Sequence, residues 1–367
     1  MKAFIVDRYG SADRVGASEV PDPEMREDDV LIEIHAAGVN PLDSKIRDGE
    51  FKLFLPYRFP LILGNELAGV AIRVGSRVRR FKPGDEVYAR PDKNRIGTFA
   101  EFIAVSEDDL AIKPKSLTME EAASIPLVGL TAWQALIEKA KLKKGQKVLI
   151  HAGSGGVGTF AIQLAKHVGA TVATTTSTKN IDLVKHLGAD IVIDYKKDSF
   201  EEILRDCDVV LNSLDGETLK KSLRVLKPGG NLISISGPPD PEFARHLGLS
   251  WILELAMRLL SFRIRRQAKR HQVNYSFLFM RASGDQLRQI GSLIETGAVR
   301  PVLDRVFPFE STKEAMLTSK RDVQQGRSSS RFDRRSALPK IEGPRCEGVS
   351  AMDRGRVETS SLCGHAL

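Results

Sequence analysis

The 367-residue sequence has little cysteine and no long apolar run. Its three cysteines, Cys207, Cys346 and Cys363, lack paired spacing, which excludes a disulfide framework and a zinc knuckle. No apolar stretch approaches the ~20 residues of a membrane span. The opening MKAFIVDRYG meets Asp7 and Arg8 too soon to form a signal-peptide core. These absences predict a reduced, soluble, cytoplasmic protein. Positive charge is in excess but unevenly spread. The net charge is +8, and residues 318–367 alone contribute ten Lys or Arg against six Asp or Glu. Half of the excess therefore sits at the C-terminal end, which weakens any argument from charge to nucleic acid. With 42% hydrophobic and 28% charged residues, the composition suits two domains with real cores.

Residues 1–120 alternate short β runs with Pro- and Gly-containing turns: VLIEIHAAGV (30–39), ELAGVAIRVG (66–75) and FAEFIAV (99–105). They predict a partly open β-barrel. From Thr118, followed by Met119, Glu120 and Glu121, a capped helix begins, and a helix through Trp133 to Lys139 follows. Strands KVLIH (147–151), ATVATT (170–175), DIVIDY (190–195), DVVLNSL (208–214) and NLISIS (231–236) then alternate with helices at 157–168, 179–187 and 216–226. That alternation predicts an α/β domain with a parallel, doubly wound sheet over 121–265. One apolar then basic helix is expected at about 245–271, a strand YSFLFM (275–280) at the sheet edge, a helix at 284–297, and a return to the barrel by 317. After Met316 periodicity stops, so 318–367 is expected to be a disordered tail whose removal after about residue 317 leaves stability nearly unchanged.

The segment KVLIHAGSGGVGTFAIQLAKHVGA places Gly153, Gly155 and Gly158 in a G-x-G-x-x-G pattern between a strand and a helix. The glycines permit a tight turn, backbone approach to a pyrophosphate and close helix packing, and the amides near Gly156 and Val157 face the phosphate charge. A dinucleotide site is expected. An NAD site wants an acid about 20 residues on. Here the second strand runs into Thr176-Ser177-Thr178-Lys179, with no acid until Asp182. Ser177 and Lys179 suit a 2′-phosphate, so NADPH is the expected cofactor; ordinary helix capping with a solvated lysine is the alternative.

Together with residues 37–43 (AGVNPLD), 64–69 (GNELAG), 81–87 (FKPGDEV) and 125–132 (IPLVGLTA), this turn resembles the medium-chain dehydrogenase/reductase superfamily, in its zinc-free, quinone oxidoreductase-like branch. The resemblance implies a GroES-like barrel, completed by C-terminal strands, around a Rossmann domain. It implies hydride transfer from NADPH to a quinone or an α,β-unsaturated carbonyl acceptor. Position by position it puts Asn40 beside the nicotinamide and acceptor carbonyl, and Thr131 at the nicotinamide ribose. Ser154, Gly155, Gly156 and Val157 would form the pyrophosphate turn; Ser177, Lys179 and Tyr195 the 2′-phosphate pocket; Ile235, Ser236, Gly237 and Phe279 the nicotinamide end. Zinc alcohol dehydrogenases carry Cys and His where this chain has Asn40 and Asn65, so no metal is expected. The family's usual last strand has no counterpart in the Ser/Arg-rich C-terminal stretch.

Several residues keep two readings. Asp43 and Lys45 are a proton-relay pair or a surface pair. Tyr57 donates a proton or packs in its loop, and Glu66 is a buried hydrogen-bonding group or a catalytic one. His35 and His151 read as core residues. The 258–271 basic helix is a lid or packing helix, or a surface for RNA or a membrane in a protein whose main role is interaction. Strand 275–280 is a plausible edge for a homodimer.

Overall fold

Alternating burial builds the N-terminal half. The computed structural model describes residues 1–324 and 331–333. Its first elements are β1 (Lys2–Val6), β2 (Val15–Glu19), β3 (Asp29–Gly38), α1 (Pro41–Asp48), β4 (Leu61–Ile62), β5 (Leu67–Val74), β6 (Glu86–Ala89), β7 (Phe102–Ser106) and β8 (Leu110–Ile112). In β3, Val30, Ile32, Ile34 and Ala36 are buried while Leu31, Glu33 and His35 are partly exposed, the period-2 pattern of a strand with one face on a core. β3 pairs antiparallel with β5 and β7, β5 with β6, and β6 with β8. β1 lies between β2 and β4 in a smaller sheet. Phe4, Val6, Leu63 and Phe99 join the β3 residues in one core.

The second half begins with α2 (Met119–Ala123) and α3 (Pro126–Trp133), which continues through a π-helical turn at Gln134–Lys139. Thr118 caps α2, and Glu121 reaches back to the Thr118 amide at 2.9 Å. Then follow β9 (Lys147–Ile150), α4 (Gly156–Val168), β10 (Thr171–Thr176), α5 (Ile181–His186), β11 (Ile191–Asp194), α6 (Phe200–Ile203), β12 (Cys207–Asn212), α7 (Gly216–Ser222) and β13 (Leu226–Ser234). Next come α8 (Pro241–His246), α9 (Trp251–Leu260), α10 (Phe262–Arg270) and β14 (Asn274–Phe277). The six strands are parallel in the order β11-β10-β9-β12-β13-β14. This is the doubly wound Rossmann order, whose switch point falls between β9 and β12. Val148, Leu149 and Ile150 are fully buried because helices cover both faces.

Two expectations are corrected here. The stretch expected as one helix over 245–271 is three, α8, α9 and α10, broken at Gly248 in the left-handed region and at Ser261. The chain returns to the barrel through α11 (Gly284–Glu295) and β15 (Val306–Pro308), but the last helix, α12 (Thr312–Gln324), runs well past Met316. A final strand, β16 (Arg331–Asp333), lies between β15 and β3, so the closing position expected to be empty is filled. Apolar periodicity missed it because three residues between two existing strands need only backbone hydrogen bonds. The remainder of the tail, 325–330 and 334–367, lies outside the described residues.

Candidate active site

The glycine-rich turn leaves β9 and enters α4. Ala152 takes a left-handed conformation (φ 52°), a strained choice for a residue with a side chain. Its carbonyl accepts the Gly155 amide at 2.9 Å, which closes the turn. A Cβ on Gly158 would collide with that same carbonyl, and one on Gly153 with the Thr174 hydroxyl. Both positions therefore exclude any side chain, while Gly155 meets only the Ala152 carbonyl at 3.2 Å. The first amides of the 13-residue α4, from Gly156 on, have no intrahelical acceptor and carry the positive end of the helix dipole. This backbone cradle fits a dinucleotide pyrophosphate.

Next to it, the Ser154 hydroxyl receives hydrogen bonds from Thr176 (3.1 Å) and from Asn180 Nδ2 (2.9 Å), which also reaches Ser177 at 3.3 Å. Sequence reasoning passed over Asn180, although it is the amide in the polar run that joins the turn to the end of β10. Ser177 is buried, Lys179 is exposed and Tyr195 half-exposed, all at the ends of β10 and β11. An acid was also missed. Asp194 pairs in register with Thr176, and its carboxylate accepts from the Thr178 hydroxyl at 2.6 Å. That bond and the Lys196 amide hold Asp194 below the usual carboxylate range, with Lys197 and Lys196 nearby in charge. Sequence spacing along one strand hid it, because the neighbouring strand brings it in.

On the barrel side, Asn40 precedes α1 and is buried. Its Nδ2 donates to Glu66 at 2.6 Å, and the other Glu66 oxygen accepts the Leu127 amide at 2.8 Å. Glu66 thus ties Asn40 to the N-terminus of α3. One turn on, Thr131 donates its hydroxyl to the Leu127 carbonyl at 2.7 Å, and Gly129 sits against Phe160 of α4. Asp43 is fully buried and accepts from the Asn40 amide and from Asn65 Nδ2, both at 2.6 Å. Burial raises its pKa to about 7, the Glu66 charge adds to the rise, and the two hydrogen bonds and Arg90 work against it. Arg90 is itself buried, with its pKa pulled down by burial and its Nε without a partner.

The structure does not bring Asp43 and Lys45 together. Lys45 lies two positions along α1, half-buried, with its ammonium 3.9 Å from Glu50. Asp43 is no surface group either. Tyr57 donates to the Lys93 carbonyl at 2.8 Å, and burial raises its pKa. His151, between the Thr175 and Ser222 hydroxyls, is lowered to about 3 by burial and stays neutral.

Beyond β13, the Ile235 amide bonds the Asn212 carbonyl at 3.0 Å, and the Gly237 amide bonds the Ser234 hydroxyl at 2.8 Å; Ser236 is exposed. Phe279 packs at 6.0 Å from Phe51, 6.5 Å from Phe54 and 5.7 Å from Phe243. Phe54 and Phe277 also meet Phe243 edge to face. Phe51, Phe54 and Phe243 carried no periodic signal, because two come from a barrel loop and one from a short helix. Among the described residues, no three His, Cys, Asp or Glu side chains are grouped as a metal site.

Residues 26–115 match the alcohol dehydrogenase GroES-like domain and residues 187–328 match the zinc-binding dehydrogenase family. The mitochondrial NAD(P)H oxidoreductase RTN4IP1 of Danio rerio is 36% identical over 349 residues, covering 89% of each chain. The chloroplastic NADPH-dependent alkenal/one oxidoreductase of Arabidopsis thaliana is 36% identical over 86% of this chain and 75% of its own. The chain belongs to the zinc-free quinone and enone oxidoreductase-like branch of the medium-chain dehydrogenase/reductases. The quinone oxidoreductase of Coxiella burnetii superposes with a TM-score of 0.75 at 30% identity, over 90% of this chain and 98% of that one. No helix among the described residues of this family member is long and apolar enough to cross a membrane. These two relatives are mitochondrial and chloroplastic, whereas the sequence predicts a cytoplasmic location for this chain.

Proposed function

We propose that the chain transfers a hydride from NADPH to an activated carbon–carbon double bond, in a quinone or an α,β-unsaturated carbonyl compound. The observation that carries this reading is the continuous link from Asn40 through Glu66 and α3 to α4, which fixes a buried amide relative to the phosphate cradle. Ser154, Gly155, Gly156 and Val157 would hold the pyrophosphate. Ser177, Lys179 and Tyr195 would hold the 2′-phosphate, with Asn180 fixing the serines. Thr131, Ile235, Ser236, Gly237 and Phe279 would line the nicotinamide end.

When bound, the dinucleotide supplies the hydride; the chain supplies position and electrostatics. Reduction leaves negative charge on the acceptor's carbonyl oxygen. Asn40 has a second Nδ2 proton beside the one given to Glu66, and it would donate to that oxygen. Asp43 acts through Asn40 by holding its backbone, and is a positioning residue. Lys45, turned to Glu50, has no part in the chemistry. A proton from solvent completes the product. The outer edge of β14 has no strand partner among the described residues, which supports a homodimer through that edge.

NADPH consumption with a panel of small quinones, alkenals and alkenones tests the reading. Turnover of at least one class is expected; tight NADPH binding with no turnover of any would sink it. In the same assay Lys179→Ala should weaken NADPH roughly tenfold, the loss of one exposed charge-assisted contact, and leave NADH nearly unchanged. Equal effects on both would refute the 2′-phosphate assignment.

A further inference from the structure

The apolar face of α9 points outward. Trp251 is 74% exposed, Leu259 67% and Leu260 64%, and Ile252 and Leu255 are exposed beside them. At helical spacing, Trp251, Leu255 and Leu259 form one stripe, continued by exposed Phe262 at the start of α10. Met257 is the only buried side chain of α9, and it packs inward on the cluster of Phe243 and Phe277. Six large apolar side chains exposed within residues 251–262 are more than a monomer ordinarily leaves in water.

The adjoining helix supplies a second, independent observation. α10 carries Arg263, Arg265, Arg266, Lys269 and Arg270 and no acid, and all but the half-buried Arg265 are exposed. Its inward face is Ile264 and Ala268. Arg258 adds a cation to the outer face of α9, whereas the acid of that helix, Glu254, is half-buried and held by Arg245 at 3.7 Å.

We propose that α9 and α10 dock this protein on an anionic lipid bilayer, with the α9 stripe in the headgroup–acyl boundary and the α10 cations on lipid phosphates. An apolar row flanked by unopposed cations is the pattern of an interfacial helix pair. Charge decides against the other occupants. A second copy seated on its own twofold would bring the two α10 rows together with no acid to oppose them. The chain's own C-terminal stretch, residues 318–367, carries the same net sign. RNA would use the cations but leave five aliphatic and aromatic side chains of α9 in water. The proposal does not depend on the reductase reading.

Co-sedimentation of the full chain with vesicles tests it. Phosphatidylcholine–phosphatidylglycerol vesicles should pellet the protein and phosphatidylcholine alone should not. Two variants built from exposed positions, W251S/L255S/L259S and R263E/R266E/K269E, should each lower the bound fraction about tenfold at unchanged thermal melting. Failure of the wild type to bind anionic vesicles at low salt would overturn the proposal. So would a dimer that dissociates in the apolar variant, which assigns the face to a second copy, or RNA binding that survives the apolar variant without vesicle binding. Reductase turnover with a water-soluble acceptor, measured on the same variants without vesicles, should be unchanged.

Discussion

Asp43 shows how one residue can carry a pH dependence that sequence spacing does not reveal. Paired with Lys45 by position, it instead sits dry between the Asn40 amide and Asn65. Its pKa is raised to about 7 in the folded chain against 3.8 in the unfolded one. The folded state therefore holds a proton that the unfolded state has already lost between these values. Stability from this site is fully present below pH 3.8 and is lost as pH rises through about 7. Urea unfolding at pH 5 and pH 8 should show a loss in the wild type that shrinks in Asp43→Asn. The same loss in both proteins would mean that other groups govern it. Glu66 teaches a related lesson: its position after Asn65 was legible, but its two partners, 26 and 61 residues away, were not.

At the scale of elements, the alternation of strand and helix in the Rossmann half was legible from apolar runs set between turn residues, but its bounds were not all: β13 begins at Leu226 rather than 231, α7 ends at Ser222 rather than 226, and α6 was not expected. The errors fall where packing overrides periodicity. The 245–271 stretch reads as one amphipathic helix, yet the chain bends at Gly248 and Ser261 so that Met257 and Ile264 can both face inward. At the C-terminal end, α12 continues to Gln324 with Ser319 buried, and β16 takes hydrogen bonds from β3 and β15. Truncation after Leu317 should therefore lower Tm by about 5 °C or more, rather than leave it unchanged. A differential scanning measurement that found no shift would show that these last elements contribute nothing to the fold.

Across the whole molecule, the two halves meet at aromatic side chains. Phe51 and Phe54 come from the barrel loop, and Phe243, Phe277 and Phe279 from the Rossmann side. Edge-to-face pairs contribute about 0.5–1.5 kcal/mol each beyond area burial, so the cluster helps to join the two halves. Phe54→Ala should raise KM for bulky aromatic acceptors about tenfold through lost packing, with kcat for a small alkenal within about twofold of wild type. An equal loss on both acceptors would place Phe54 in fold stability alone. Tyr88 adds a second tie, donating from the barrel to the Leu287 carbonyl of α11 at 2.5 Å.

The sequence by itself determined the class of fold and the glycine-rich turn proposed to hold the dinucleotide, because a glycine pattern between strand and helix and alternating burial are local properties. Its resemblance to the family also implies that Asn40 and Asn65 stand where zinc relatives put their ligands. Only the tertiary structure decided what those residues touch. Glu66 bonding to α3, Asp194 brought beside Thr178, the separation of Asp43 from Lys45 and the outward apolar face of α9 all arise from pairing and packing between segments far apart in the chain. Periodicity describes one element at a time, and such contacts belong to two.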